Sequence, residues 1–125
     1  MSKTVVSTDR IAAPIGPFSP AVWAGDQLYL SGQVAQDPAS GRLVEGDAGA
    51  QAERILENVR AVLEAAGRTF DDVVKVSVFL TDMRDFPSVN AVYARWFQPP
   101  YPARTTVAVA ELPLGAKVEL DLVAR

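Results

Sequence analysis

The spacing of apolar residues changes midway along this chain, and that change restricts its fold more than any other feature. Between Ala52 and Ala66 apolar side chains recur every three or four residues, which predicts an amphipathic helix of about five turns. Asp47 is the expected N-cap and Gly67 the expected stop. In Asp72–Thr81 the side chains instead alternate between two sets, which predicts a strand. Its two sets are Val74, Val76, Val78 and Leu80 on a helix-covered face, and Lys75, Ser77 and Phe79 on a more polar face.

Further strand and helix patterns flank this pair in an order typical of an α+β domain. Gly25-Asp26 is a two-residue turn signal between two apolar stretches, so it predicts a β-hairpin. Asp85 is the expected cap of a second helix. The predicted elements are a short strand Thr4–Val6, hairpin strands Ala21–Ala24 and Gln27–Gly32, a helix at about Phe86–Phe97, and strands Arg104–Ala110 and Lys117–Ala124. The order ββαβαββ predicts one domain, residues 1–125, with both helices on one face of the sheet.

The other face of this sheet is predicted to be too apolar for water and too polar for the core of a monomer. In the strand Arg104–Ala110, Thr105, Val107 and Val109 share one face, and the alternate residues share the other. The residues expected on the open face are Tyr29, Ser31, Phe79, Thr106, Ala108 and Glu119. We therefore expect several copies of the chain to pack their sheets together, with polar pockets left between them.

The 125 residues include neither cysteine nor histidine, which narrows the chemistry open to the chain. Disulfides, thiolate nucleophiles, Cys-based metal sites and His-dependent triads are excluded, and we expect no metal and no cofactor. A net charge of −3 at pH 7 argues against nucleic-acid binding. The aromatic cluster Tyr93, Trp96 and Phe97 is accordingly assigned to the core. Met1–Arg10 lacks an apolar signal segment and no apolar run could span a membrane, so a cytoplasmic protein is expected.

An arginine at the mouth of a predicted strand is the strongest candidate for a ligand-binding residue. Tyr101–Val109 reads as a proline-stiffened loop that runs into a strand, with Arg104 at the junction. A guanidinium in this place keeps its charge and presents a planar pair of donors to a carboxylate. Any catalysis beside it must use carboxylates, Arg, Lys, hydroxyls, backbone groups or water.

Six motifs, in order along the chain, resemble those of the RidA (YjgF) reactive-intermediate deaminase family. They are Ala13-Pro14-Ile15-Gly16-Pro17-Phe18, Leu30-Ser31-Gly32-Gln33-Val34, Asn58-Val59-Arg60-Ala61-Val62-Leu63-Glu64-Ala65-Ala66-Gly67, Val74-Lys75-Val76-Ser77-Val78-Phe79-Leu80, Phe86-Pro87-Ser88-Val89-Asn90 and Pro102-Ala103-Arg104-Thr105. They cover nearly the whole length, and their joint spacing is far more specific than any one of them.

The resemblance implies a fold similar to that of the trimeric chorismate mutases. It implies a homotrimer with a barrel-like core of three sheets, helices outside, and sites in the clefts between adjacent subunits. The implied reaction is hydrolysis of 2-enamine and 2-imine acids to 2-keto acids and ammonia. By resemblance, Arg104 holds the substrate carboxylate, Glu119 orients or polarises the water, and the backbone of Ser31-Gly32 borders the site.

Two further residues expected to line the site depart from the family pattern. Phe18 stands where many members carry tyrosine, so a hydroxyl is missing, and we expect a packed lid there. Thr106 stands where many carry cysteine, and it either hydrogen-bonds at the site or fills a small space. Ser31 is expected to line the site, because no base can be assigned to make it a nucleophile.

Plainer roles remain open for the two charged residues. Arg104 could form a surface ion pair, and Glu119 could pair with Lys117 or with an arginine of a neighbouring subunit. For the whole protein, one alternative is a non-catalytic trimer that binds a small carboxylate or a client protein. Another is a deaminase that serves a single pathway.

Overall fold

Six strands form one mixed sheet in the computed structural model of the chain, which describes residues 2–125. They are β1 (Thr4–Val6), β2 (Ala21–Ala24), β3 (Gln27–Gln33), β4 (Val73–Leu80), β5 (Ala103–Ala108) and β6 (Val118–Ala124). Their order across the sheet is β1-β2-β3-β6-β4-β5, and each neighbouring pair is antiparallel except β4 and β5. The predicted strands and the hairpin are confirmed, with ends that differ by up to two residues.

The two helices also lie where the apolar spacing predicts them. They are α1 (Ala48–Ala65) and α2 (Phe86–Trp96). The Asp47 carboxylate accepts a hydrogen bond from the Ala50 amide at 2.9 Å and caps α1 as predicted. After α1, Gly67 takes a φ of +72°, which ends the helix as predicted.

Asp85 precedes α2, but the prediction that its side chain caps the helix is wrong. A short 3₁₀ turn, Met83–Asp85, runs directly into α2, so Asp85 already has helical backbone angles. A side chain on helical backbone does not reach forward as a cap does. The capping carboxylate belongs instead to Asp82, which accepts from the Arg84 amide at 2.9 Å and begins the turn.

The core lies between the helices and one face of the sheet. Along α1 the predicted stripe is buried, and Ile55, Leu56, Val59, Val62 and Leu63 are each 0% exposed. These side chains meet Leu28, Val76, Leu80, Val118 and Leu120 from the sheet, which are at most 1% exposed. Tyr93 and Phe97 are buried and Trp96 is half-buried, so the aromatic cluster belongs to the core as predicted.

At the start of β4 the predicted alternation is wrong by one residue. Val73 is buried and Val74 is 43% exposed, whereas Val74 was expected to face the helices. The pairing with β6 shifts register between Val73 and Lys75, which is a β-bulge. A bulge adds one residue to one strand and reverses the facing of the residues before it. From Val76 onward the predicted alternation is confirmed.

The facing predicted for β5 is also wrong, and this error bears directly on the site. Residues paired across parallel strands lie on the same face of a sheet. Arg104 and Thr106 pair with Val76 and Val78, and Ala108 pairs with Leu80 in the same register. Because the three β4 residues face the core, Thr106 and Ala108 lie on the helix-covered face with Arg104.

The open face keeps the rest of its predicted residues. Glu119 pairs with Phe79 there, and Tyr29 pairs with Val123. Val107 is on this face and 40% exposed, since it pairs with Phe79. That other copies of the chain cover this face stays a prediction. Within residues 2–125, no helix combines the length and the apolarity needed to cross a membrane.

Candidate functional site

Glu119 lines a cavity of about 340 Å³ at the end of β3. The walls are mostly apolar and come from the segment before β2 and from the loop before β6. The wall residues are Ile11, Ala12, Pro14, Ile15, Phe18, Pro20, Val34 and Pro113, and the polar lining residues are Ser31, Gly32, Gln33, Gln36 and Glu119. Phe18 is 47% exposed and Ile15 is 61% exposed, so the apolar wall is open to one side. We call this cavity the glutamate pocket.

A β-bulge brings the backbone of Gly32 against the Glu119 side chain. The pairing of β3 with β6 shifts register between Leu30 and Gln33, so two residues of β3 fall on the open face there. A Cβ atom on Gly32 would overlap Oε2 of Glu119 and lie 2.9 Å from its Cδ. Only glycine leaves room for this carboxylate, which explains the residue type at position 32.

The other bulge residue, Ser31, holds the wall of the pocket in place. Its hydroxyl donates to the Ser19 carbonyl at 2.6 Å, and its amide donates to the Pro20 carbonyl at 3.0 Å. These two bonds fasten the segment that carries Phe18 to the sheet. Ser31 therefore lines the glutamate pocket, and its hydroxyl proton is already engaged in a hydrogen bond; that this pocket is the substrate site stays a prediction.

The environment of Glu119 raises the pKa of its carboxyl above the ordinary value of 4.5. The main cause is burial, which disfavours the charged form, and the carboxylate of Asp121 on the same face adds to it. Within residues 2–125 Glu119 forms none of the ion pairs. Pairing with Lys117 is not observed, because the Lys117 ammonium contacts the Gly46 carbonyl at 3.3 Å.

Arg104 lines a second cavity, of about 370 Å³, between β5 and α2. We call it the arginine pocket, and its other lining residues are Asn90, Tyr93, Ala94, Tyr101 and Pro102. The guanidinium carbon of Arg104 lies 4.7 Å from the centre of the Tyr93 ring and 5.6 Å from that of Phe86. Across the described part of the chain, no carboxylate forms an ion pair with Arg104. The alternative of an ordinary surface ion pair therefore has no partner for Arg104 among residues 2–125.

One copy of the chain does not bring the predicted site residues together. Phe18, Ser31, Gly32 and Glu119 share the glutamate pocket. Arg104 lies in the arginine pocket, and Thr106 lies beside it at a small gap under α2. The two groups are on opposite faces of the sheet, and no described residue lines both pockets.

Two residues of the arginine pocket were missed by the sequence analysis. Asn90 lines it beside Arg104, and Tyr93, assigned only to the core, stands under the guanidinium. A signal was present, because Phe86, Asn90 and Tyr93 are spaced by four and three residues and so lie on one face of a helix. The sequence did not reveal the facing of β5, which places Arg104 against this face of α2.

Known proteins match this chain over nearly its whole length. A family model described as Endoribonuclease L-PSP matches residues 8–125. Protein DfrA of Myxococcus xanthus is 48% identical over 99% of this chain and 96% of its own length. The 2-iminobutanoate/2-iminopropanoate deaminase of Bos taurus is 44% identical, over 98% of this chain and 89% of its own. The crystal structure of RidA from Psychrobacter sp. PAMC 21119 is 44% identical and superposes with a TM-score of 0.93, covering 97% of this chain and 98% of that one.

The family-model match extends over both pockets and over β2 to β6. The RidA structure shares the α+β arrangement of two helices on a mixed sheet. The match to the family model begins at residue 8, before Phe18, and ends at residue 125, after Glu119. The chain therefore belongs to the RidA (YjgF) family, whose family model carries the L-PSP endoribonuclease description.

Proposed function

We propose that this protein hydrolyses reactive 2-enamine and 2-imine acids, such as 2-aminoacrylate and 2-iminopropanoate, to 2-keto acids and ammonia. The observation that carries the proposal is the pair of complementary groups in the two pockets. One pocket offers an arginine without an ion-pair partner in the described chain, and the other offers a carboxyl whose pKa is raised. Relatives named 2-iminobutanoate/2-iminopropanoate deaminase, 44% identical, support it.

The substrate acid and the reacting carbon call for different groups. Arg104 binds the substrate carboxylate through two parallel N–H donors, which fixes the position of C2. The imine carbon is already electrophilic, so the protein has only to place water against it and move protons. Phe18 and its apolar neighbours take the substrate side chain. Ser31, Gly32 and Thr106 complete the lining, and no metal or organic cofactor is required.

Glu119 is the group we assign to proton transfer. Its carboxylate takes a proton from water as the water oxygen bonds to C2 and the C=N π electrons pass to nitrogen. Glu119 returns this proton to the nitrogen, which gives a tetrahedral carbinolamine. The carboxylate then takes the proton of the new hydroxyl group and passes it to the amine, the C–N bond breaks with its electron pair going to nitrogen, ammonia leaves, and the remaining C–O bond becomes the carbonyl of the keto acid. A raised pKa makes the Glu119 carboxylate a stronger base than an ordinary glutamate, which suits a group that accepts and returns a proton.

Because Arg104 and Glu119 lie in separate pockets of one chain, we infer that two copies form each site. The arginine pocket of one copy closes the glutamate pocket of the next, and a homotrimer provides three such clefts. The exposed apolar residues Ile15, Phe18 and Val107 support this contact, since they leave apolar surface to be covered. In the cytoplasm, dehydratases that use pyridoxal phosphate would release the substrate.

The test is release of ammonia and keto acid when a dehydratase generates 2-aminoacrylate in the same reaction. We expect Arg104→Ala to lower kcat/KM on the order of 100-fold, because the substrate is no longer held in place. Arg104→Lys keeps the charge but not the planar pair of donors, so it should restore only part of the rate. Wild-type turnover by Arg104→Ala would exclude the proposed role.

A non-catalytic protein that binds a small carboxylate is the second candidate. It is favoured by Phe18, which leaves the glutamate pocket without a tyrosine hydroxyl near Glu119. This candidate predicts keto-acid binding that depends on Arg104 but no turnover. The ribonuclease activity that the family model names is less well supported, because the net charge is −3 and there is no histidine.

A further inference from the structure

Two aromatic rings flank the guanidinium of Arg104 in a way that the proposed reaction does not use. The guanidinium carbon is 4.7 Å from the Tyr93 ring centre and 5.6 Å from the Phe86 ring centre. Both distances are within cation–π range. Phe86 and Tyr93 are seven residues apart on α2, so they lie on one face of the helix, two turns from each other.

The Tyr93 ring is firmly held by the core on its other side. Tyr93 is 7% exposed and stacks on Phe97 with ring centres 4.3 Å apart and planes 21° apart. Phe97 in turn meets Phe70 edge to face at 5.2 Å. Because core packing holds the Tyr93 ring in place, the ring cannot move with the Arg104 side chain. Arg104 therefore packs against a ring of fixed position.

The ring of Tyr93 makes this contact, and its hydroxyl does not. The hydroxyl oxygen is buried and has no hydrogen-bond partner among the described residues. Burial raises the pKa of Tyr93, although the nearby charge of Arg104 opposes the shift. The phenol therefore stays neutral at physiological pH, and no ion pair with the guanidinium forms.

An aromatic ring and a carboxylate would hold Arg104 differently, because only the ring leaves the N–H donors of the guanidinium free. A carboxylate partner would occupy the N–H donors of Arg104 and cancel its charge, so a substrate acid would have to displace it. A ring face attracts the cation without accepting those donors. The arginine pocket thus restricts the motion of Arg104 while its donors stay available to a ligand.

We propose that Phe86 and Tyr93 are positioning residues, which hold the Arg104 guanidinium in one orientation with its donors turned to the open pocket. This inference rests on the proposed function for its consequence, carboxylate binding, but its geometry is independent of turnover. Ordering the side chain in advance removes part of the entropy cost of binding the acid. The rings should therefore affect KM more than kcat.

Four variants separate ring, hydroxyl and core packing. Tyr93→Leu and Phe86→Leu each remove one ring, Tyr93→Phe removes only the hydroxyl, and Val92→Ala removes buried volume from α2 away from Arg104. Pyruvate is the probe, titrated by NMR on the Arg Nε–H signals, with Arg104→Lys used to assign the signal of Arg104. The Nε–H order parameter reports the mobility of the side chain directly.

We expect pyruvate affinity to fall about three- to tenfold in Tyr93→Leu and by less in Phe86→Leu, whose ring is farther from the cation. In both variants the order parameter of Arg104 Nε–H should fall and KM should rise more than kcat falls. Tyr93→Phe and Val92→Ala should keep the wild-type order parameter, and Tyr93→Phe should keep the wild-type affinity. If Tyr93→Leu does not fold, Phe86→Leu, which removes a half-buried ring, carries the test.

Two results would overturn the inference. One is an Arg104 Nε–H that is as mobile in the wild type as in both leucine variants. The other is a Tyr93→Phe variant that binds pyruvate as weakly as Tyr93→Leu, which would assign the effect to the hydroxyl. An ordered Arg104 in a protein that binds pyruvate but releases no ammonia would instead overturn the proposed function and leave the aromatic support intact.

Discussion

The glutamate pocket and the arginine pocket hold their charged groups by opposite means. Glu119 lies against bare backbone at Gly32, in partly apolar surroundings that disfavour its charge and raise its pKa. Arg104 lies against two aromatic rings that favour its charge. The carboxyl is thereby disposed to exchange a proton, and the guanidinium is disposed to stay a fixed cation.

This difference indicates a division of labour between the two faces of one sheet. The helix-covered face can support Arg104 because α2 brings rings there, while the open face leaves Glu119 beside a cavity. Neither pocket alone has both an anchor for an acid and a proton acceptor. The proposed pairing of the two pockets across two copies of the chain is therefore the first hypothesis to test.

Mixing two inactive variants gives the largest expected effect. Arg104→Ala and Glu119→Gln should each be nearly inactive alone, because each lacks one group in every site. If the chain forms the proposed homotrimer, random assembly from equal amounts gives about one quarter of the clefts an intact Arg104 together with an intact Glu119. Ammonia release should therefore return to about a quarter of the wild-type rate. If mixing restores nothing, the two groups do not act across copies.

Gly32→Ala tests how closely Glu119 depends on the backbone beneath it. The new Cβ would overlap the carboxylate and displace it, so we expect kcat to fall about 10- to 100-fold. Because the displaced atoms are the end of a flexible side chain, the free energy of unfolding should change by less than about 1 kcal/mol. Rates of ammonia release and urea unfolding measure the two effects. Gly49→Ala, inside α1, is the matched control, and it should keep activity and match or exceed wild-type stability. Wild-type activity in Gly32→Ala would mean that Glu119 need not stay where it lies.

Glu119→Gln should separate stability from activity as the pH changes. A pKa raised in the folded state means that folded protein holds the proton more tightly than unfolded protein does. Ionisation of Glu119 therefore costs stability, and the cost grows as pH rises from the ordinary value of 4.5 through the folded pKa.

Removing the charge should give a higher Tm than the wild type at pH 7, with the advantage fading as the pH falls below about 4.5. Activity should be lost at every pH. Thermal unfolding scans from pH 3.5 to 8 provide the measurement. Glu45→Gln, at an exposed position, is the control. An equal Tm at pH 7 would show that the fold does not disfavour the charge of Glu119, and a lower Tm would show that the fold stabilises the charged form.

Phe18→Tyr should give the smallest effect. It adds a hydroxyl to the open wall of the glutamate pocket, where it can bond to water or substrate. One such hydrogen bond corresponds to about a two- to tenfold change in kcat/KM. Phe18→Leu keeps an apolar wall and is the control, because it shows how much of any change comes from altering the ring and how much from adding the hydroxyl. If the tyrosine variant is unchanged, the proton transfers do not involve position 18.

The elements of this fold could be predicted because their signals are local. The period of α1, the turn at Gly25-Asp26 and the cap at Asp47 depend only on neighbouring residues, and all are confirmed. The prediction that Asp85 caps α2 was wrong because a 3₁₀ turn, itself capped by Asp82, runs into α2. Such a continuous entry leaves no trace in apolar spacing.

The faces of β4 and β5 could not be predicted in the same way. A bulge at Val73–Lys75 reverses one end of β4, and only the partner strand reveals it. β5 carries small and polar residues on both sides, so Val107 looked as suited to the core as Thr106 did. Only the parallel register with β4 shows that Arg104 and Glu119 point apart.

The bond between the Ser31 hydroxyl and the Ser19 carbonyl has a consequence for inhibitors. Serine-directed phosphonylating reagents need a hydroxyl that a base can activate, and this one is engaged in holding a loop. The sequence offers no cysteine or histidine for other electrophiles. Reagents directed at serine, cysteine or histidine nucleophiles are therefore poor probes of the glutamate pocket, and under the proposed function reversible acids that compete for Arg104 are the better choice.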